Sequence, residues 1–117
     1  MSKQGFSQYG KDFQESLCHL ILVDRPFADQ ILEVLDINFL ELKYLQVFVR
    51  KIIAHRENFP EHPGEDIMKT VIRTGLNSEL ESVQQQTRNY FARIYRADTD
   101  DSEYIKSTAL DFCRKQK

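Results

Sequence analysis

Apolar side chains recur along the chain at spacings of three, four and seven, and no stretch alternates apolar and polar residues for long. That period predicts helices, each burying one stripe. The widest stripe runs over residues 38–56, where Leu42, Leu45, Phe48, Val49, Ile52 and Ile53 share a face. Glu41, Lys43, Gln46, Arg50, Lys51 and Arg56 fall mostly opposite, and no Gly or Pro interrupts. A helix this apolar needs neighbours on several sides, so it is expected to be the central helix of a small bundle.

The other stripes fall in order around it. Residues 1–10 carry Gly5 and Gly10 around Phe6 and Tyr9, and read as a flexible tail unless the two aromatics dock. Over 11–23, Phe13, Leu17, Leu20 and Ile21 form a stripe widened by Cys18 and Leu22. Arg25-Pro26 ends it, because the residue before proline avoids the helical region, and Pro26 suits the first turn of the next helix. That helix carries Phe27, Ile31, Leu32 and Leu35 and stops near Asp36, with Asn38 as the cap of the central helix. Two prolines and a glycine within residues 60–64 mark a loop, which Phe59 is expected to anchor by turning inward. Residues 65–74 predict a short helix with Ile67, Met68, Val71 and Ile72 inside, an acidic start, a basic end and Gly75 as its cap.

Beyond Gly75 the stripes narrow. Leu80, Val83, Thr87, Tyr90, Phe91 and Ile94 line residues 78–96, with Asn77 or Ser78 as cap. Ile105, Ala109, Phe112 and Cys113 line residues 102–117. A short acidic link separates the two, with Asp100 and Glu103 at capping-pair spacing. Two such stripes on a tight link predict an antiparallel helical hairpin. The fold class is therefore all-α: a helical domain over 11–117, divided into a globular bundle over 11–75 and a protruding hairpin over 76–117. The hairpin seam consists of Leu80, Val83, Thr87, Tyr90, Phe91, Ile94, Ile105, Ala109 and Phe112. The hairpin's core is thin for its length, so spare apolar surface at Tyr90, Tyr95 and Tyr104 is expected to meet a second chain. On this two-part reading, Phe91→Glu or Ile94→Glu disrupts the hairpin and leaves bundle helicity largely intact.

Composition narrows the function classes. The 117 residues suit one domain with a real core. A formal net charge of -2 argues against a dedicated nucleic-acid binder. The two cysteines, Cys18 and Cys113, read as reduced thiols in a chain that shows no secretory h-region and no membrane span. A cytoplasmic protein is expected. Met1 reads as a natural start, and Lys117, in mid-pattern, as a trimmed end.

Catalytic constellations are scarce. None of the four glycines begins a Walker-type phosphate loop. The run from Asp98 begins like a calcium loop, but Glu103 stands where glycine is needed and Ala109 where a bidentate glutamate is needed, so helix capping is the better reading. His19, His55 and His62 are scattered, which gives no metal-ligand spacing. Cys18 beside His19 points elsewhere on a helix, and Cys18 reads as a small core residue. Neither a cofactor nor a metal is implied. The basic residues Lys43, Arg50, Lys51 and Arg56 form a candidate partner-docking face, with any DNA contact there weak, since phosphate affinity needs more concentrated charge.

The order of motifs carries more information than any one of them. Glu15-Ser16-Leu17-Cys18-His19-Leu20-Ile21-Leu22 is followed by Asp24-Arg25-Pro26-Phe27, then Asn38-Phe39-Leu40, Leu45-Gln46-Val47-Phe48 and Ile52-Ile53. The chain closes on Asp101-Ser102-Glu103-Tyr104-Ile105 and Leu110-Asp111-Phe112-Cys113-Arg114-Lys115-Gln116. Over residues 11–117 this resembles the N-terminal domain of DnaB-type replicative DNA helicases, particularly the phage-encoded branch. The resemblance implies a helical bundle with a long hairpin that pairs between subunits. Such domains form a collar on a hexameric ring of ATPase domains and offer docking surfaces to primase or a helicase loader. This portion would not be an enzyme, although its parent would be an ATP-dependent helicase in the bacterial cytoplasm. The polar run Gln84-Gln85-Gln86 departs from the family pattern. The competing reading is a free-standing helical adaptor that binds a protein partner through the same hairpin. A small enzyme has no positioned set of polar residues to recommend it.

Overall fold

The joint between the first two helices is built as the Arg25-Pro26 signal predicts. α1 spans Gly10–Val23, and α2, Arg25–Ile31, carries Pro26 in its first turn. Asp24 links them: its N–H donates to the Leu20 carbonyl at 2.9 Å, and its carboxylate accepts from the Phe27 N–H at 3.1 Å. The protein is seen here in a computed structural model, which describes residues 5–94 and 101–116. Tyr95, residues 97–100 of the acidic link and with them Asp100 of the capping pair lie outside those residues.

The central stretch begins later than its stripe suggests. α3 spans Lys43–Asn58. Asn38 is not its cap but lies in a 3-10 turn, Ile37–Phe39, capped by Asp36, whose carboxylate accepts from the Asn38 N–H at 2.9 Å. The intervening residues are held by side chains in place of helical bonds. The Gln14 amide oxygen accepts from the Glu41 N–H at 2.8 Å, and the Gln46 amide donates to the Leu40 carbonyl at 2.7 Å. With Phe39 and Leu40 buried, this segment satisfies its backbone without helix.

The remaining helices are α4, Glu65–Thr74, α5, Glu81–Ile94, and α6, Ser102–Lys115. No strand occurs among the described residues. α4 ends at Gly75, whose N–H closes on the Val71 carbonyl at 2.7 Å. Its inner face is Met68 and Ile72, whereas Ile67 is turned outward. Phe59, expected to turn inward, is 56% exposed and stacks on His55 of α3 at 4.7 Å between ring centres. The α3 C-terminus already has its apolar face covered, so the ring finds a neighbour on the surface.

The organising helix is α1 and not the stretch at 38–56. α1 packs against α2, α3, α5 and α6, whereas α3 meets α1, α4 and α5. Nine consecutive-turn positions of α1 are buried or nearly so, including the polar Gln14, Glu15 and His19. A helix enclosed on this many sides buries more than one stripe.

α5 and α6 do not stand off as a separate hairpin among the described residues. α5 lies on α3, α1 and α4, and α6 lies on α1 and α2, with little contact between them. They flank α1. A radius of gyration of 13.5 Å matches the roughly 13 Å of a single compact domain of this length. The extents of 36 × 30 × 28 Å leave no long projection, since a 14-residue helix alone spans about 21 Å.

Residues 5–10 are also part of this body. Phe6–Tyr9 form a 3-10 turn, and Phe6 is fully buried. Its ring meets those of Phe112, Phe39, Phe13 and Tyr9 at centroid distances of 5.0, 5.9, 6.0 and 6.3 Å. The turn thus plugs the seam between the first and last helices. Gly10, with φ at 88°, makes the bend into α1 that an L side chain would resist. The expectation of a tail free through residue 10 fails here because two aromatics leave enough apolar area to repay the ordering of a short segment.

Candidate functional site

The expected seam residues are used inside the chain. Val83, Thr87, Tyr90, Phe91 and Ile94 of α5 and Ile105, Ala109 and Phe112 of α6 are all buried in one core. Phe91 faces Phe48 at 6.1 Å, and Tyr90 meets Phe48 edge-on at 5.1 Å. Thr87 returns its hydroxyl to the Val83 carbonyl at 2.7 Å. Of the seam, Leu80 alone is open, at 75% exposure. Of the tyrosines expected at the surface, Tyr90 is buried and Tyr104 is 63% exposed.

The seam helix is tied down by a polar network that no local pattern announces. The Glu15 carboxylate of α1, almost fully buried, receives both guanidinium nitrogens of Arg93, at 2.6 and 3.0 Å, and the Tyr44 hydroxyl at 2.5 Å. The Tyr90 hydroxyl donates to the Glu15 main-chain carbonyl at 2.6 Å. Burial alone would resist ionisation of Glu15, but the bonds from Arg93 and Tyr44 outweigh it and hold the carboxyl below its usual range. Burial, followed by the bond to the Glu15 carboxylate, pushes the Tyr44 hydroxyl well up. This is a clamp between α1, α3 and α5, in which each carboxylate oxygen of Glu15 accepts at least one hydrogen bond.

The basic docking face is only partly assembled. Lys43 and Arg50 are exposed on α3, and Lys51 is half-buried. Arg56 has left the set. One of its nitrogens donates to Asp29 of α2 at 2.6 Å, and the other to Nδ1 of His62 at 2.7 Å. Since a guanidinium can only donate, His62 accepts at Nδ1 and donates from Nε2 to the Leu22 carbonyl, at 2.8 Å. This chain of contacts straps the 59–64 loop to the ends of α1 and α3, which the scattered histidine positions did not reveal.

His19 is 9% exposed, and neither ring nitrogen has a hydrogen-bond partner among the described residues. Burial lowers its pKa, against an opposing pull from Glu65. Cys18 and Cys113 are free, buried thiols. Burial raises both, Cys113 to about 12, which leaves them poor nucleophiles at neutral pH. Among the described residues no three His, Cys, Asp or Glu side chains converge as metal ligands, and no helix is long and apolar enough to cross a membrane.

Two surface clefts stand out among the described residues. One, of about 850 Å³, lies between the α1–α2 joint and the start of α4, with Val23, Arg25, Glu61 and Glu65 to Ile67 on its walls. The other, of about 430 Å³, lies between α2 and α6, where Lys106 bonds Asp24 and Glu103, each at 2.8 Å. Its charges are mutually paired. The first cleft has apolar side chains at its mouth, Val23 and Ile67, each 46% exposed. Comparison with protein-family models, curated proteins and solved structures returns no match for the chain.

Proposed function

We propose that the chain is the assembly and partner-docking domain of a DnaB-type replicative helicase, acting by binding and not by catalysis. One observation carries this reading. Leu80, the residue before α5, and Tyr104 of α6 are 75% and 63% exposed, while the apolar stripes of these two helices, to which the resemblance assigns subunit pairing, are spent internally. Large apolar side chains this open gain when another surface covers them. The pairing surface is then the outer edge of these helices, and the inward seam supports it from behind. In the parent, such pairing builds a dimer or a hexameric ring in the bacterial cytoplasm, with primase or a loader docking on the remaining surface. ATP hydrolysis belongs to the parent's ATPase domain, since these 117 residues hold no phosphate-loop motif.

Sedimentation equilibrium over the micromolar range tests the pairing. Self-association that Leu80→Glu with Tyr104→Glu abolishes, with an unchanged far-ultraviolet spectrum, is the expected outcome. A strict monomer at high micromolar concentration would refute it. A reading frame that continues past Lys117 into Gly-x-x-x-x-Gly-Lys-Ser/Thr supports the helicase parent, and a stop codon there favours the adaptor.

A further inference from the structure

We infer that the cleft between the α1–α2 joint and the α4 N-terminus is a docking site for a basic amphipathic helix of another protein. None of its residues lies on α5 or α6, so the inference stands or falls apart from the pairing role given to those helices.

Three features of the cleft point to this occupant. Val23 and Ile67 face it from opposite walls, and each is nearly half exposed. Both sit at the edge of a stripe whose neighbours, Leu22 and Met68, are buried, so an incoming apolar side chain would extend a core that already exists. The rim is acidic. Glu61, Glu65 and Asp66 form no ion pair among the described residues, and Arg25 opposes them while its field also acts on Asp29. Three carboxylates against one guanidinium give this rim the -2 that is the formal charge of the entire chain. The walls are held in place before anything binds: His62 bridges the Leu22 carbonyl and Arg56, and Arg56 pairs with Asp29. A preformed cleft spares its ligand the ordering cost.

The surroundings fit the same ligand. His19 lies one turn before Leu22 and Val23 on the same face of α1. It is within the influence of Glu65, with both ring nitrogens unpartnered. No sheet edge occurs among the described residues, so an extended peptide has no strand to join. A helix laying apolar residues between Val23 and Ile67, with Lys or Arg toward the carboxylates, uses the whole site. An acidic or uncharged helix would forgo the rim, and free DNA would be repelled by it.

The test uses the full chain, isotope-labelled, titrated with a synthetic helical peptide bearing leucines on one face and lysines on its flanks. A twin peptide has glutamate in place of each lysine. Amide shifts are expected at Val23, Arg25 and Gly64 to Ile67 with the lysine peptide, and none with the twin. Ile67→Ser and the pair Glu61→Lys with Asp66→Lys should each weaken binding about tenfold, as loss of an apolar anchor or of charge complementarity does. Raising salt from about 0.05 to 0.5 M should weaken it several-fold. These substitutions fall on exposed positions, and thermal melts confirm that each variant folds. Shifts confined to another face, equal binding of the twin, or no shifts at millimolar peptide would each overturn the inference. So would concentration-dependent shifts at the cleft without peptide, because they would assign it to a second copy of this chain.

Discussion

Phe6 separates a docked N-terminal turn from a free tail, and Phe6→Ala measures the difference. In the fold its ring has no exposed area and meets four aromatic rings, the nearest being Phe112 at 5.0 Å. Truncating a buried phenylalanine costs about 3–5 kcal/mol. The turn lies at the start of the described chain and can peel away once its anchor is lost, which caps the cost near the lower end, at about 3 kcal/mol. For a domain of this length, with unfolding entropy of about 0.25 kcal/mol/K, that is a fall in Tm of roughly 12 °C. Urea unfolding should show the same loss, with the m-value lowered slightly by the surface that the released turn no longer buries. Phe6→Leu keeps most of the volume and should cost about 1 kcal/mol. Ser7→Ala, on the exposed side of the same turn, should stay within about 0.5 kcal/mol. A double-mutant cycle with Phe112→Leu should return about 0.5–1.5 kcal/mol of coupling between the two rings. If Phe6→Ala shifts Tm by less than about 2 °C, the ring is not part of the core and residues 5–10 are a tail after all.

Three further outcomes follow from the packing. Phe91→Glu places an unpaired charge against Phe48 at a position 8% exposed, so circular dichroism should record loss of helicity throughout the chain in a single transition; survival of α1 to α4 would restore the two-part architecture. Glu15→Gln should cost about 2 kcal/mol at pH 7 in urea titrations, since it weakens charge-assisted bonds to a buried acceptor. Because the native Glu15 carboxyl titrates below its ordinary value, this contribution is present above the ordinary carboxylate range and is lost as pH falls through the native value; a cost unchanged at pH 2 would contradict it. His19→Phe removes two buried nitrogens without partners and should stabilise the chain by about 1 kcal/mol at pH 7. The folded ring resists a proton that the unfolded chain accepts, so wild-type stability should decline as pH drops below about 6.5, and the variant should decline less. Parallel pH profiles for the two would show that His19 contributes nothing to the slope.

Helix existence was legible because its causes are local. The stripes of α1, α4 and α5, the Asp24-Arg25-Pro26 joint and the loop at 59–64 depend on residues three or four apart or on proline's missing N–H. Those rules need no tertiary partner. Ends shifted where a distant side chain took over a backbone group, as Gln14 does for Glu41 across 27 positions. The burial of Phe6, the central place of α1 and the inward turn of the α5 stripe were not legible. Each depends on which element covers which stripe, and an apolar face has the same period whichever neighbour it meets. The Glu15 clamp joins residues 29 and 78 positions apart, and the His62 strap reaches back 40. By itself the sequence determined that the chain is helical, where most helices lie and which faces are apolar. Only the tertiary structure decided that the apolar faces of α5 and α6 close on the chain's own core. That left Leu80, Tyr104, Phe59 and the apolar side chains of the acid-rimmed cleft exposed, because hydrophobic burial has no direction of its own until packing supplies one.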